Sequence, residues 1–349
     1  MGASQEDRTP ESMGAFVGTS PDLRHAARDL ITWQQDRIEA LLELIGRPPA
    51  GLPPAGTSEA HVVERHDDGD LWREKIRYGE PEDDVVWAWL LRAKTLTDPA
   101  PAVICLPGSF MTPNWGKDAP AGLAGPLVPG APEAYGVDLA CQGFVTLCPD
   151  YPCCGERTAP GLRSHDTSQL DARFPSWTRG GLSAWDVSRA VDILLTRAEV
   201  DADRIGVCGW SQGGQMSIIG AALDKRIRAV VSVCGWGPLR GVDGARAYNW
   251  AQRYNFPRLA PCLDGARPLP IDFDEMVACL APRPFLDVRA EEDDTFPNRA
   301  EADSALDALQ ALWRTAGSPD AFAVTRASGG HAHGRVAADA QLQWLRRWL

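Results

Sequence analysis

Residues 204–214 read Arg-Ile-Gly-Val-Cys-Gly-Trp-Ser-Gln-Gly-Gly, and this stretch decides the fold. The apolar run 205–208 leads into Gly209-Trp210-Ser211-Gln212-Gly213, and small and aliphatic residues follow at helical spacing over 216–222. The order is therefore strand, sharp turn, helix. A G-x-S-x-G in that setting is typical of a nucleophile elbow, which holds a serine hydroxyl exposed above a parallel sheet. The outer glycines lack a Cβ, so the strand and the helix can pass close to the turn.

Beyond residue 101 the chain alternates apolar runs with helical segments. Continuous apolar strands that alternate with helices indicate a mostly parallel sheet covered on both faces, which is an α/β fold. Ahead of them, short alternating runs at 61–65, 71–78 and 85–91 predict an antiparallel meander. The predicted buried strands are 102–106, 144–148, 205–208, 228–234, 284–288 and 321–325, and the predicted helices are about 133–142, 182–198, 211–222, 299–316 and 335–348.

The first fifty residues differ in character from the rest of the chain. Residues 1–20 are polar and predict a disordered tail, and an amphipathic helix is predicted from Pro21, after an N-cap at Ser20, to Ile45. The first interpretation is that this helix packs on the main domain; a lid, or a contact between copies in a homo-oligomer, is the alternative. Residues 51–349 are predicted to form one catalytic domain, with 236–270 as a long irregular excursion or cap.

Composition excludes several kinds of partner and location. The net charge of −12 repels phosphate backbones, so a nucleic-acid partner is not expected. No apolar run approaches the length of a membrane span, and the N-terminus lacks the apolar region of a secretory signal. None of the nine cysteines forms a C-x-x-C, so they are interpreted as buried residues of a cytoplasmic protein, with Cys153-Cys154 as a redox pair the alternative.

A serine nucleophile needs a base that takes its proton and a carboxylate that orients the base. In a sheet of this kind they follow the serine in the order acid, then histidine, on loops at the carboxyl ends of strands. The histidines downstream of Ser211 are His331 and His333, both in the loop after the last strand. His331 is predicted to be the base, with His333 as the alternative. Their H-x-H spacing could also bind a metal, but no third ligand is evident, so no metal or cofactor is expected.

The acid is expected in the acidic run after the strand 284–288. Asp293 is preferred over Asp294, Glu291 and Glu292, although periodicity does not say which carboxylate points inward. The developing oxyanion needs preorganised N–H donors. The backbone of Gln212 is the first predicted donor; Ser109 is the second, with Phe110 as its alternative.

Thirteen tryptophans are many for 349 residues, and Trp115, Trp177, Trp210, Trp236 and Trp250 fall in segments that should border the elbow. Aromatic walls suit an apolar ligand or a sugar ring, although any single one could equally fill the core. The predicted substrate-binding residues are Phe110, Tyr151, Trp210 and Trp236.

From about Trp87 to its C-terminus the chain resembles the α/β-hydrolase superfamily, in its acetyl xylan esterase and dienelactone hydrolase-like branch. The resemblance implies the α/β-hydrolase fold, ester hydrolysis, and nucleophile, acid and base roles for Ser211, Asp293 and His331. The phrases that carry it, besides the elbow, are Pro101-Ala102-Val103-Ile104 with Pro107-Gly108, Pro149-Asp150-Tyr151 with Gly155-Glu156-Arg157, Asp203-Arg204-Ile205-Gly206, Ala281-Pro282-Arg283-Pro284 and Gly329-Gly330-His331.

The chain departs from the family's pattern in two places. Pro107-Gly108 stands where the oxyanion turn usually reads His-Gly, and Ala290 stands where a glycine commonly precedes the acid. Dienelactone hydrolases proper use a cysteine nucleophile, so Ser211 places this chain with the serine esterases.

Together these observations predict a serine hydrolase that cleaves a small-molecule carboxylic ester of small or medium acyl group through an acyl-enzyme. A peptidase with the same triad is one alternative, but the roughly 100 residues before the sheet are too few for a gating propeller. A hydrolase of carbon–carbon bonds is another, favoured by the N-terminal helix. A catalytically silent binding module is the third, and the complete, correctly ordered triad argues against it.

Overall fold

The structure is a computed structural model that describes residues 23, 29–49, 59–79, 84–109, 116–124, 134–240, 242, 247, 253–263, 266–296 and 298–349. Within these residues nine strands form one sheet in the order β1-β2-β3-β5-β4-β6-β7-β8-β9. The strands are β1 (Ala60–Asp68), β2 (Leu71–Tyr78), β3 (Val86–Ala93), β4 (Ala100–Leu106), β5 (Val145–Pro149), β6 (Val200–Trp210), β7 (Ala229–Val233), β8 (Phe285–Ala290) and β9 (Phe322–Ala327).

Helices connect the strands and cover both faces of the sheet. They are α1 (Leu30–Ile45), α2 (Tyr135–Cys141), α3 (Ser168–Arg173), α4 (Arg179–Leu195), α5 (Gln212–Leu223), α6 (Ala260–Leu263), α7 (Phe273–Ala278), α8 (Arg299–Thr315) and α9 (Arg335–Trp348). Short 3₁₀ turns lie at Gly155–Arg157, Pro257–Leu259 and Pro319–Ala321. None of the helices described is both long and apolar enough to cross a bilayer.

Strand direction divides the sheet into two parts. The first three strands pair antiparallel, and β3 also pairs antiparallel with β5. From β5 through β4, β6, β7 and β8 to β9 every pairing is parallel. The prediction of a mostly parallel sheet with antiparallel N-terminal strands is confirmed, and the parallel part brings the carboxyl ends of β6 to β9 to one edge.

The apolar runs are explained by burial on both faces of the sheet. Successive residues of β4 alternate between two cores: Ile104 and Leu106 belong to one, and Val103 and Cys105 belong to the other. Side chains of a strand point alternately to opposite faces, so a strand covered on both sides is apolar throughout. Each fully buried aliphatic side chain contributes about 1.5–3 kcal/mol relative to exposure, which fixes the register of the central strands.

The N-terminal helix departs from its prediction. A continuous helix from Pro21 is wrong, because Asp29 has non-helical backbone angles and its carboxylate accepts the Thr32 N–H, so that α1 begins at Leu30. The predicted N-cap at Ser20 lies outside the described residues. The helix ends at Ile45, where Gly46 takes a φ of +83° and donates its N–H to the carbonyl of Leu42.

Contacts hold α1 against the rest of the chain. The Gln34 side chain donates to the carbonyls of Ala278 and Ala281, and the backbone N–H and hydroxyl of Thr178 both donate to the carbonyl of Ile45. The helix therefore lies against the loop that follows α7 and against the start of α4.

Candidate active site

The nucleophile elbow is formed by the junction of β6 and α5. Ser211 has a φ of +55°, unusual for a residue with a side chain, and donates its N–H to the carbonyl of Val233 over 2.8 Å. A Cβ on Gly209 would lie 2.4 Å from the backbone of Gly213, and one on Gly213 would lie 2.1 Å from the carbonyl oxygen of Leu106. The two glycines are thus required by the close passage of strand, turn and helix.

The side chains of Ser211, His331 and Asp293 lie in one hydrogen-bonded line. The Nε2 atom of His331 is 2.9 Å from the Ser211 hydroxyl oxygen, and its Nδ1 atom is 2.8 Å from an Asp293 carboxylate oxygen. The three residues follow β6, β8 and β9, whose carboxyl ends share one edge. Of the residues weighed from the sequence, the structure brings Asp293 and His331 to the serine, whereas Asp294, Glu291 and Glu292 are exposed.

The environment of Asp293 keeps its carboxylate ionised. Besides the His331 ring, the carboxylate accepts the backbone N–H groups of Thr295 and Phe296 at 2.8 and 3.3 Å. Burial raises the pKa of Asp293, but the interaction with His331 and these N–H donors outweigh burial and hold the pKa below its usual value. Asp293 is therefore negative at neutral pH and can orient the imidazole and stabilise its protonated form.

Two aromatic rings flank the imidazole of His331. The ring centres of Trp210 and Phe296 lie 5.2 and 5.8 Å from that of His331. A Cβ on Gly108 would lie 2.5 Å from the Trp210 ring, so the glycine lets the turn after β4 pack against this indole. Phe296 was missed by the sequence analysis, and its position three residues after the acid is the signal that could have found it.

His333, the alternative base, is placed elsewhere. Its ring is buried, packs 4.7 Å from the ring of Tyr135, and has Nε2 3.3 Å from the side-chain oxygen of Gln341. Burial lowers the pKa of His333 to about 4, so the ring is neutral at physiological pH. The two histidines of the H-x-H pair therefore occupy different environments, and His331 is the one that meets the serine.

The predicted oxyanion donors lie on the two turns that meet at the elbow. Gln212 is the first residue of α5, where a backbone N–H has no acceptor within the helix. Its side chain is fully buried, and neither amide atom has a partner among the described residues. Ser109 follows the turn after β4, and the Tyr254 hydroxyl hydrogen-bonds to its side chain. Phe110 lies outside the described residues.

Tyr254 belongs to the 236–270 excursion and was not found from the sequence. Its ring stacks on that of His165 at 4.5 Å, and the guanidinium of Arg179 lies 5.0 Å from the ring centre. Arg179 is fully buried and donates to the carbonyl of Pro152 over 2.6 Å and to the side chain of Asn255. Part of the excursion is thereby fixed beside the turn that carries Ser109.

Two of the predicted substrate-binding aromatics are enclosed. Tyr151 is 3% exposed and its ring lies under the guanidinium of Arg179. Trp236 is 1% exposed, donates its indole N–H to Asp287 over 3.1 Å and packs under Arg289, so that it offers at most an edge to a cavity beside Asp293. The open aromatic wall expected from them is corrected to core packing, because Arg179 covers the Tyr151 ring and Trp236 is held between Asp287 and Arg289. Trp177 is also buried, and Trp115 and Trp250 lie outside the described residues.

Comparisons with known proteins place this geometry in context. A family model described as "Glucuronyl esterase, fungi" matches residues 177–317. The Bacillus subtilis (strain 168) protein named "Putative hydrolase YtaP" is 25% identical over 272 residues, which are 75% of this chain and 83% of that protein. A carbohydrate esterase from an unknown prokaryotic organism is 31% identical over 123 residues, 33% of this chain and 28% of that protein.

Solved structures agree with these matches. A glucuronoyl esterase from Solibacter usitatus superposes with a TM-score of 0.68 at 18% identity, covering 96% of this chain and 97% of that one. The chain has the α/β-hydrolase fold. The resemblance stated from the sequence, to serine esterases of the α/β-hydrolase superfamily, is confirmed. A CE15 glucuronoyl esterase from Teredinibacter turnerae T7901 has a TM-score of 0.69 at 15% identity, over 97% and 89% of the two chains.

Replacing each carboxylate in turn should show that Asp293, and not its neighbour Asp294, orients the imidazole. Asp293→Asn removes the negative charge and favours the wrong imidazole tautomer, so turnover of a 4-nitrophenyl ester should fall on the order of 10³–10⁴-fold. Asp294→Asn, the matched control on an exposed neighbour, should change turnover less than threefold, roughly the effect of a surface substitution. Equal losses in both variants would mean that Asp293 is not the orienting acid.

Burial of His333 predicts an acid-sensitive stability. The pKa of about 4 in the folded chain lies below the ordinary value of 6.5, so between these values the unfolded chain binds more protons and the free energy of unfolding falls as pH falls. Between pH 7 and pH 5 this residue should account for a loss of about 2 kcal/mol. Urea unfolding at both pH values would measure the loss, and His333→Gln should reduce it by that amount. An unchanged difference in the variant would show that His333 is not the source.

Proposed function

We propose that the protein is a serine-dependent hydrolase of carboxylic esters. The observation that carries the proposal is the line of hydrogen bonds from Asp293 through His331 to the hydroxyl of Ser211, with heavy-atom distances of 2.8 and 2.9 Å. Acyl transfer needs an activated hydroxyl, and a neutral imidazole at hydrogen-bonding distance supplies the base.

The reaction follows from the positions of the three side chains. As the Ser211 oxygen attacks the acyl carbon, Nε2 of His331 takes the hydroxyl proton, and the ionised Asp293 stabilises the resulting imidazolium. The imidazolium then gives this proton to the leaving alcohol, which departs from an acyl-enzyme. A water molecule repeats the sequence on the acyl-enzyme and releases the acid.

The tetrahedral intermediate carries a negative oxygen that requires N–H donors. We assign the backbone N–H groups of Gln212 and Ser109 to this oxyanion hole, because they lie on the two turns that meet at the elbow, and the first also lies at the positive end of α5. Tyr254 supports the second donor by hydrogen bonding to the Ser109 side chain. Each donor contributes roughly 3–4 kcal/mol to lowering the barrier.

The substrate is proposed to be an ester of a carbohydrate, with a sugar acid as the acyl part. The support is the name of the family model over residues 177–317, which contain both Ser211 and Asp293, and the carbohydrate esterase at 31% identity. The indole of Trp210, partly exposed beside His331, offers an aromatic face of the kind that sugar rings pack against. An acetyl ester on a sugar hydroxyl is the second candidate, supported by structural neighbours named as acetyl xylan esterases.

Whether the cysteines form disulfides indicates the cellular compartment of the protein. All nine are free thiols, including the adjacent Cys153 and Cys154. Free thiols at this number are typical of a reducing environment, so a cytoplasmic location is retained as a proposal.

A panel of substrates tests the function and its class together. The panel contains 4-nitrophenyl esters from acetyl to decanoyl, benzyl glucuronate, acetylated xylose and a peptide 4-nitroanilide, with Ser211→Ala as control. The highest kcat/KM is expected for benzyl glucuronate, with weaker turnover of the short aryl esters and a loss of several orders of magnitude in the control.

Each of the other possible outcomes would support one of the alternative functions. A higher kcat/KM for acetylated xylose than for benzyl glucuronate would indicate that the substrate is an acetyl ester on a sugar hydroxyl and not an ester of a sugar acid. Turnover of the anilide alone would indicate a peptidase. No turnover of any ester, by a folded protein, would overturn the proposal and leave a carbon–carbon bond hydrolase or a silent binding module.

A further inference from the structure

Cys234 lies beside the triad but has no role in the mechanism above. It follows β7, the strand between those that carry Ser211 and Asp293, with a φ of +46° and its N–H donated to the carbonyl of Val288 over 2.8 Å. The Cys234 sulfur, an Asp293 carboxylate oxygen and a ring nitrogen of His331 all lie within 4.8 Å of one another. The loops after β7, β8 and β9 therefore bring three side chains that can bind a metal ion to one point.

A cavity gives access to this point. Its volume is about 430 Å³, and both Cys234 and Asp293 form part of its wall. The exposed carboxylates of Glu291 and Glu292 also line it, and two of its arginines are already paired, Arg289 with Asp287 and Arg326 with Asp303. A small cation can thus approach the thiol along a wall where Glu291 and Glu292 have no ion-pair partner among the described residues, although Arg299 lies there too.

The donor set selects the kind of cation. Thiolate and imidazole ligands favour Zn²⁺ and its heavier relative Cd²⁺, whereas Mg²⁺ and Ca²⁺ prefer oxygen ligands throughout. In a tetrahedral zinc site with bonds of about 2.0–2.3 Å, neighbouring ligand atoms are about 3.3–3.8 Å apart. The Cys234 sulfur therefore has to approach the other two atoms by about 1 Å, and the Asp293 oxygen and Nδ1 of His331, which lie 2.8 Å apart, have to separate by about half that distance. A water molecule would complete the tetrahedron.

We propose that Cys234, Asp293 and His331 form an inhibitory binding site for a thiophilic divalent cation. Binding releases the thiol proton to solvent, moves the Nδ1 proton of His331 to Nε2, and forms one bond each to sulfur, a carboxylate oxygen and Nδ1. The Asp293 to His331 hydrogen bond is then lost, because both partners hold the cation, and the imidazole no longer serves as base. Inhibition rests on the proposed function, whereas binding does not.

The third ligand that the H-x-H spacing lacked is thus supplied from other loops. His333, the sequence neighbour, packs on Tyr135, and Cys234 and Asp293 take its place around His331. This arrangement is created by the parallel strand order, since the three residues are separated by 59 and 38 positions along the chain.

Cadmium binding tests the site without any need for activity. Titrating the full chain with Cd²⁺ should produce the ultraviolet thiolate-to-cadmium charge-transfer band with a stoichiometry of one tight site per chain. Cys234→Ser should weaken this site on the order of a hundredfold, since even outer ligand partners cost ten- to a hundredfold in metal affinity. Cys234→Ala is the second variant, in case the serine variant folds poorly. Cys141→Ala, at the exposed cysteine, is the matched control and should bind like the parent.

Inhibition is measured in parallel, relative to the rate of each variant with a chelator present. Cd²⁺ and Zn²⁺ should inhibit the parent and the Cys141→Ala chain at the concentration that produces the band, and the Cys234 variants should need about a hundredfold more. An equal half-inhibitory concentration in parent and Cys234 variants, or a band that survives in both of them, would overturn the proposal. A parent that shows the band but hydrolyses no ester would leave the site standing and refute the esterase.

Discussion

The backbone turn at Ser211 is the constraint on which the rest of the site depends. Its φ of +55° costs about 1–3 kcal/mol for a residue with a Cβ, and it persists because β6 and α5 are packed on both sides. Gly209 and Gly213 permit that packing, since a Cβ on either would lie within 2.5 Å of backbone atoms. The turn places the hydroxyl at the edge of the sheet where β8 and β9 also end. The close packing of β6 and α5 at this turn is therefore required both by the fold and by the catalytic site.

Around that turn, the buried charged groups of Asp293 and Arg179 are held by hydrogen bonds. Asp293 is held by two backbone N–H groups and the imidazole, which gives the ring one orientation. On the other side, Arg179 anchors part of the 236–270 excursion through Asn255 and the ring of Tyr254, which hydrogen-bonds to Ser109. Part of the excursion is thus fixed beside the turn that carries Ser109, and the role of 236–270 as a cap stays a prediction.

Local patterns predicted most of the fold and the triad. Unbroken apolar runs mark strands buried on both faces, and the serine elbow limits the acid and the base to particular loops, which led to Asp293 and His331. Tyr254, Cys234 and Phe296 were missed because their roles arise from contacts between distant segments that leave no periodic signal. Tyr151 was misjudged for the same reason: only the tertiary structure shows that Arg179 covers it. The N-cap of α1 at Asp29 was missed because the apolar period continues through it.

The most direct test of the central claim is to map where a fluorophosphonate reacts. The probe forms a covalent bond only with an activated serine, so peptide mapping by mass spectrometry should find a single adduct on Ser211. The adduct should form far more slowly in His331→Ala, since the base is then missing. An adduct on another serine, or equal labelling rates with and without the imidazole, would contradict the assignment of Ser211 as a nucleophile activated by His331.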